Sequence, residues 1–192
     1  ALSVLAFILL YKIGDSMAAA MATPFYLDIG FSTTEIGAVV KLVGFWATLA
    51  GALIGGVLNL RIGMYASLWV FGILQSLSTA CFALLAHFGH SIAALTAVIG
   101  FENLASGMGT VAFVAFMAMM TDKRFTATQY ALLSSLMGIP RVIAAAPTGY
   151  AVKFLGWENF FIACALIAIP GMLLLIKSSV FNISANPSEQ EN

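Results

Sequence analysis

The stretch IAALTAVIGFENLASGMGTVAFVAFMAMMT, residues 92–121, holds one ionisable side chain, Glu102, in thirty residues. A helix of about 20 apolar residues crosses the hydrocarbon core of a bilayer, so this stretch reads as a membrane span. The rest of the chain agrees. Of 192 residues, 61% are hydrophobic and 8% are charged, outside the range of soluble globular domains. Five more apolar stretches reach a comparable length: about 2–22, 35–60, 65–87, 126–150 and 157–176. The expected fold is therefore all-α and integral to the membrane, a bundle of six transmembrane helices over residues 1–177. The lipid bilayer is its first partner, and each helix satisfies its own backbone there. Residues 178–192, SSVFNISANPSEQEN, are polar and are expected to form a disordered cytoplasmic tail.

The connections alternate in charge. Arg61, Lys123, Arg124 and Lys177 fall on one side, and Lys153, with Asp28 and Glu158 nearby, on the other. By the positive-inside rule the first side faces the cytoplasm. The first apolar run is no signal peptide, because it lacks a basic start and Lys12 and Asp15 interrupt it. The chain begins without Met at the threshold of a helix, and a fragment of a longer protein is expected. Zero net charge argues against nucleic acid as a partner.

The buried charges recur in order. The first and fourth spans carry acids, Asp15 (beside Lys12) and Glu102 (beside Asn103). The second and fifth carry bases, Lys41 and Arg141, and the third and sixth carry no charge within the apolar core. Such an order is what a 3+3 inverted repeat leaves behind. Lys41 and Arg141 both fall in the outer half, which departs from strict mirroring. A charge at mid-membrane costs about 2.5–3.5 kcal/mol on insertion scales and so faces the protein interior or a wet cavity. Lys12 and Asp15, three residues apart, share one side of their helix, and Ser16, Ala19 and Ala22 continue that side.

The second span carries a stripe of Gly37, Lys41, Gly44, Thr48, Gly51 and Gly55. Its glycines admit a neighbouring backbone; Lys41 either binds a ligand or snorkels to the interface. The fourth span presents Glu102, Ser106 and Gly109 in one line and Asn103, Gly107 and Thr110 in the next. In the fifth, Tyr130, Ser134, Gly138, Arg141 and Ala145 align, while Pro140 and Pro147 free the carbonyls of Leu136 and Ile143. These prolines are either hinges of a binding or gating element or a kink fixed by packing, with Arg141 paired to Glu102.

No His/Cys/Asp group has metal-ligand spacing, and no cofactor is expected. Cys81 and Cys164 read as small apolar residues, and His87 and His90 as surface residues of an outer loop. No G-x-S-x-G elbow, H-E-x-x-H or P-loop is present, so an enzyme lacks its constellation. Gly107 and Gly109 form a G-x-G inside a span, a packing feature.

FENLASGMGTVAFVAFMAMMTDKRFTATQYALLSSL, residues 101–136, resembles the matching region of the bacterial muropeptide permeases (AmpG type) of the major facilitator superfamily. YKIGDS, residues 11–16, resembles the opening of the second six-helix half of those permeases. GVLNLRIG, residues 56–63, resembles the superfamily's loop motif G-x-L-x-D-R-x-G at Gly56, Leu58, Arg61 and Gly63. Leu60 stands at the motif's Asp position, which puts any charge latch using that Asp in doubt. The resemblance extends over about residues 2–176.

It implies a proton-coupled importer of anhydro-sugar peptides from cell-wall turnover, in the bacterial cytoplasmic membrane. This chain would be the carboxy-terminal half, its partner the missing amino-terminal six helices. It also implies that the first and fourth helices line a central cavity while the third and sixth lie outside. Lys12, Asp15, Lys41, Glu102, Asn103 and Arg141 would then form the substrate and proton pathway, and three buried bases against two acids would suit an anionic substrate. Glu102, with no base near it on its own helix, is the expected proton carrier; Asp15 keeps Lys12 placed. The alternatives are a related permease for another anionic solute, such as acetyl-coenzyme A, and a self-contained six-helix channel or semi-transporter that dimerises.

Overall fold

The computed structural model of the chain describes residues 2–119, 131–132, 134–135 and 138–177. Among these residues the structure is helical, with no strand. Helix α1 is Leu2–Asp28. Helix α2, Thr33–Ile62, includes a π turn at Val40–Gly44. Helices α3 and α4 are Met64–Phe88 and Ile92–Met119. A last helical stretch, Gly138–Lys177, breaks at Gly156 (φ 73°, ψ 168°) into α5, residues 138–155, and α6, residues 157–177. The expected tail, Lys123, Arg124, the start of the fifth span and the side chains of Pro140 and Arg141 lie outside the described residues.

Several ends differ from the sequence expectation, and two of them have a local cause on view. Helix α1 runs six residues past Ala22, through Pro24. Phe25, fully buried, explains the extension: its ring packs on Phe82, Trp157 and Phe161. Helix α2 begins two residues early because Ser32 and Glu35 form a capping box. Gly63 (φ 81°) turns the chain between α2 and α3 without a side-chain clash.

Helix direction follows from register. Tyr11, Asp15 and Phe25 of α1 meet Leu68, Gln75 and Phe82 of α3, so these two run parallel. Gly44, Gly51 and Gly55 of α2 meet Asn103, Leu104 and Met108 of α4, again in parallel. Tyr11, Gly14 and Phe25 meet Gly171, Cys164 and Phe161, so α6 runs antiparallel to α1. Gln75 of α3 meets Gly109 of α4 while Ser78 meets Glu102, so α1 and α3 point one way and α2, α4 and α6 the other. The joints after α1, α3 and α5 gather at one end, where Trp157 Nε1 donates to Asp28 Oδ2 at 2.6 Å and Phe31 stacks on His90 at 4.4 Å. Arg61 and Lys177 lie toward the other end.

Glycine makes the closest interfaces. A Cβ on Gly55 would sit 2.7 Å from Met108 Cα; one on Gly51 or Gly107 would strike the Leu104 or Thr48 carbonyl. In lipid, helices associate through such close backbone contact. Thr33–Ile62, Met64–Phe88, Ile92–Met119 and Ala146–Leu173 are long and apolar enough to cross a membrane. The last window straddles the Gly156 break, so it draws on α5 and α6 together. Leu42, Phe45, Trp46, Leu49 and Leu53 of α2 are exposed, a surface that suits lipid or an apolar partner.

With the Arg61 end expected in the cytoplasm, a cysteine replacing Lys153 should react with an impermeant maleimide in intact cells. One replacing Arg61 should react only after permeabilisation, both in full-length protein made free of other cysteines. The reverse pattern inverts the orientation.

Candidate functional site

The core has two apolar layers. One holds Phe25, Phe31, Phe82, Phe160 and Phe161; the other holds Tyr11, Leu68, Phe71, Phe113 and Phe116. Between them, near the middle of α1, α3 and α4, lies a polar layer. Lys12 Nζ donates to Asp15 Oδ2 at 2.9 Å, with the two side chains 16% and 17% exposed. Gln75 of α3 sits next to them. Its Nε2 donates to Asp15 Oδ1 at 2.9 Å and to Glu102 Oε1 at 2.7 Å. Ser78, one turn along α3, places its hydroxyl 2.6 Å from Glu102 Oε2 and 2.9 Å from the Gln75 carbonyl. The result is one continuous chain of groups across three helices: Lys12, Asp15, Gln75, Glu102, Ser78.

Burial explains why the chain is so complete. A carboxylate in low dielectric needs donors on its oxygens, and a hydrogen bond to a charged group contributes about 1.5–3 kcal/mol. Glu102 has a donor on each oxygen. Its donors among the described residues are neutral, while Asp15, whose carboxyl lies beside it, shares the Lys12 cation. Tyr26 of α1 and Cys81 of α3 are also close enough to feel the Glu102 charge.

The structure brings together Lys12, Asp15 and Glu102 and places Asn103 and Lys41 apart from them; the side chain of Arg141 lies outside the described residues. Asn103, next to Glu102 in sequence, points elsewhere: its amide donates to the Ile99 carbonyl, packs on Gly44 and meets the Thr48 hydroxyl at 3.1 Å. It holds α4 against the π turn of α2. Lys41 lies on that turn and is exposed, outside the polar chain. Three bases are therefore not gathered among the described residues: one cation, Lys12, faces two acids. Ala19 is exposed, so the tight face of α1 is not Ser16, Ala19 and Ala22; it runs through Tyr11, Gly14, Ala18 and Phe25. Gly56 is half-buried beside Val111, Arg61 and Gly63 are exposed, and Leu60, at the loop motif's acidic position, is 88% exposed. Pro147 is exposed within α5.

Gln75 and Ser78 carry no charge, so charge alone does not mark α3 as part of the site. The signal was there as GILQSLST, residues 72–79, where an amide and a hydroxyl three apart share one face. Although it carries no charge in its core, α3 supplies the centre of this polar layer.

A small cavity adjoins this layer, lined by residues that include Tyr11, Lys12, Asp15, Gln75, Ser76 and Thr79 and roomy enough for about one water, ≈ 10 Å³. Gln75 Oε1 and Ser76 Oγ are buried without a partner among the described residues.

The pattern described as Major Facilitator Superfamily matches residues 4–191. The chain is 41% identical over 174 residues to a protein of Escherichia coli K12 named anhydromuropeptide permease, covering 90% of this chain and 35% of that protein. It is 36% identical over 176 residues to putative transporter AmpG 4 of Rickettsia conorii, covering 92% of this chain and 42% of the relative. An uncharacterized protein of Haemophilus influenzae is 40% identical over 182 residues, with 91% and 43% covered. The chain thus spans about two-fifths of the length of these curated relatives. The all-helical fold, the alternating apolar helices and the match over nearly the whole sequence agree: the chain belongs to the Major Facilitator Superfamily, a family of membrane transporters and not of enzymes.

Proposed function

We propose that the chain is the six-helix half of a permease that imports anhydromuropeptides together with protons across the bacterial cytoplasmic membrane. The substrate class is read from the relative named anhydromuropeptide permease. The coupling is read from the continuous polar chain at mid-bundle, which is the observation that carries the proposal. A membrane interior tolerates ionisable groups at a cost, and acids linked across helices there are what proton relays use. Glu102 is the proton carrier in this reading, since its donors among the described residues are the neutral Gln75 amide and Ser78 hydroxyl, while Asp15 meets the Lys12 cation directly. Lys12 and Asp15 hold one another and offer a charged edge to the substrate.

An anionic substrate needs more positive charge than Lys12 alone, so Arg141 and the other half of the protein are assigned the carboxylate-binding role. Arg141→Lys replaces a planar fork with a point charge. It should weaken uptake of labelled anhydromuropeptide by the full-length protein about tenfold, the loss of about 1.4 kcal/mol of binding. Unchanged uptake would remove Arg141 from substrate binding. Uptake of acetyl-coenzyme A in place of the muropeptide would shift the assignment to the related solute permeases. Transport by residues 1–192 alone as a dimer would favour the semi-transporter.

A further inference from the structure

We infer that Ser78 is the positioning residue that lets Glu102 exist both as an anion and as an acid without moving a heavy atom, and that Asp15 has no such hydroxyl partner among the described residues. The inference rests on the proton-carrier role given to Glu102 above and names the residue that makes it possible.

The argument is a count of donors and acceptors. A serine hydroxyl has one proton and can also accept. Ser78 has two acceptors in reach, Glu102 Oε2 at 2.6 Å and the carbonyl of Gln75 at 2.9 Å. One proton serves one of them at a time. With Glu102 ionised, the hydroxyl donates to Oε2. When a hydronium ion gives up a proton, its O–H bond breaks, water leaves, and a new O–H bond forms at Oε2 with its hydrogen pointing at Ser78 Oγ. The Ser78 hydroxyl then rotates about its C–O bond and donates to the Gln75 carbonyl. No bond of the protein breaks, and the positive charge delivered cancels the carboxylate charge. The other oxygen, Oε1, accepts from Gln75 Nε2 at 2.7 Å in both states.

Asp15 differs. Its partners are the Lys12 ammonium on Oδ2 and the Gln75 amide nitrogen on Oδ1, both donors without a lone pair to offer. A proton on Asp15 would face a donor at both of these contacts, and its only acceptor among the described residues would be the neighbouring Glu102 carboxyl, not a hydroxyl that can turn. Turning the Gln75 amide over would bring its oxygen against Glu102 as well, which an ionised Glu102 repels. The groups facing Glu102 from the packed helices are Asp15, Lys12 and Tyr26 on α1 and Gln75, Ser78 and Cys81 on α3; of these, Ser78 is the hydroxyl placed to accept at Oε2.

Infrared difference spectroscopy on the full-length protein, titrated without substrate, tests this. A protonated-carboxyl band that disappears in Glu102→Gln marks Glu102. Ser78→Ala should move that band to higher frequency, because the acid loses its acceptor, and Ser78→Thr should restore it. Ser78→Cys, a weaker acceptor of similar size, should shift it the same way by less, and decides the matter should the alanine variant fail to fold. In vesicles, Ser78→Ala should lower pH-driven accumulation about tenfold, as loss of a buried partner implies, while exchange of labelled anhydromuropeptide stays within about twofold. A Glu102 band indifferent to all three substitutions overturns the role of Ser78 and leaves the proton-carrier reading standing. No Glu102-dependent band at any pH overturns both.

Discussion

Glu102→Gln in the full-length protein should abolish accumulation driven by a pH gradient while leaving exchange of substrate across the membrane. Glutamine is a close neutral mimic of the protonated acid at this site. Its oxygen still accepts from Gln75, and its amide can donate to Ser78, which turns to the Gln75 carbonyl. The fold should therefore survive. What is lost is the cycle of gaining and releasing a proton. One pH unit stores about 1.4 kcal/mol per proton, enough for about tenfold accumulation at one proton per substrate. The variant should settle near equal concentrations on both sides under the same gradient. Asp15→Asn should behave differently. It leaves Lys12 half-buried without its counter-charge and should damage binding or folding, with exchange falling together with accumulation. Normal accumulation in Glu102→Gln with loss in Asp15→Asn would exchange the two roles.

Gly107→Leu should prevent the bundle from assembling. The glycine lies where the Thr48 carbonyl and the Ala52 amide nitrogen approach, so any side chain meets backbone and cannot be accommodated by a rotamer change. Overpacking a tight core costs about 1–3 kcal/mol, occasionally more, and here it opens the whole α2–α4 seam, including the Gly51 and Gly55 contacts. The measurement is the yield of monodisperse full-length protein in detergent, expected to fall several-fold. Gly37→Leu is the control: nothing lies within 4 Å of that position, and its yield should be unchanged.

The helices were legible because membrane spans are written in composition: long apolar runs between polar joints. Their ends were less so. Pro24 hid the last turn of α1, where tertiary packing of Phe25 outweighs the lost backbone bond. The capping box at Ser32 was readable as S-T-T-E and was passed over. The acids of the site were legible because charge in a span is rare. Their connection was not, since Gln75 and Ser78 are uncharged and become meaningful only when α3 is known to lie between α1 and α4. The joint stripe of Lys41 with the α2 glycines was split by the π turn at Val40–Gly44, whose extra residue per turn rotates Lys41 away from the face that Gly51 and Gly55 present to α4. Glu102 and Asn103, adjacent in sequence, divide between two interfaces for the ordinary reason that successive helical residues point about 100° apart.

The central claim, that the polar layer carries protons with the substrate, is tested most directly by proton movement itself. Full-length protein is reconstituted in vesicles with a trapped pH dye, and anhydromuropeptide is added outside with no gradient imposed. Wild-type vesicles should acidify inside as substrate enters, and Glu102→Gln vesicles should take up substrate without acidifying. Substrate entry with no acidification in the wild type, or equal acidification in Glu102→Gln, would contradict the claim.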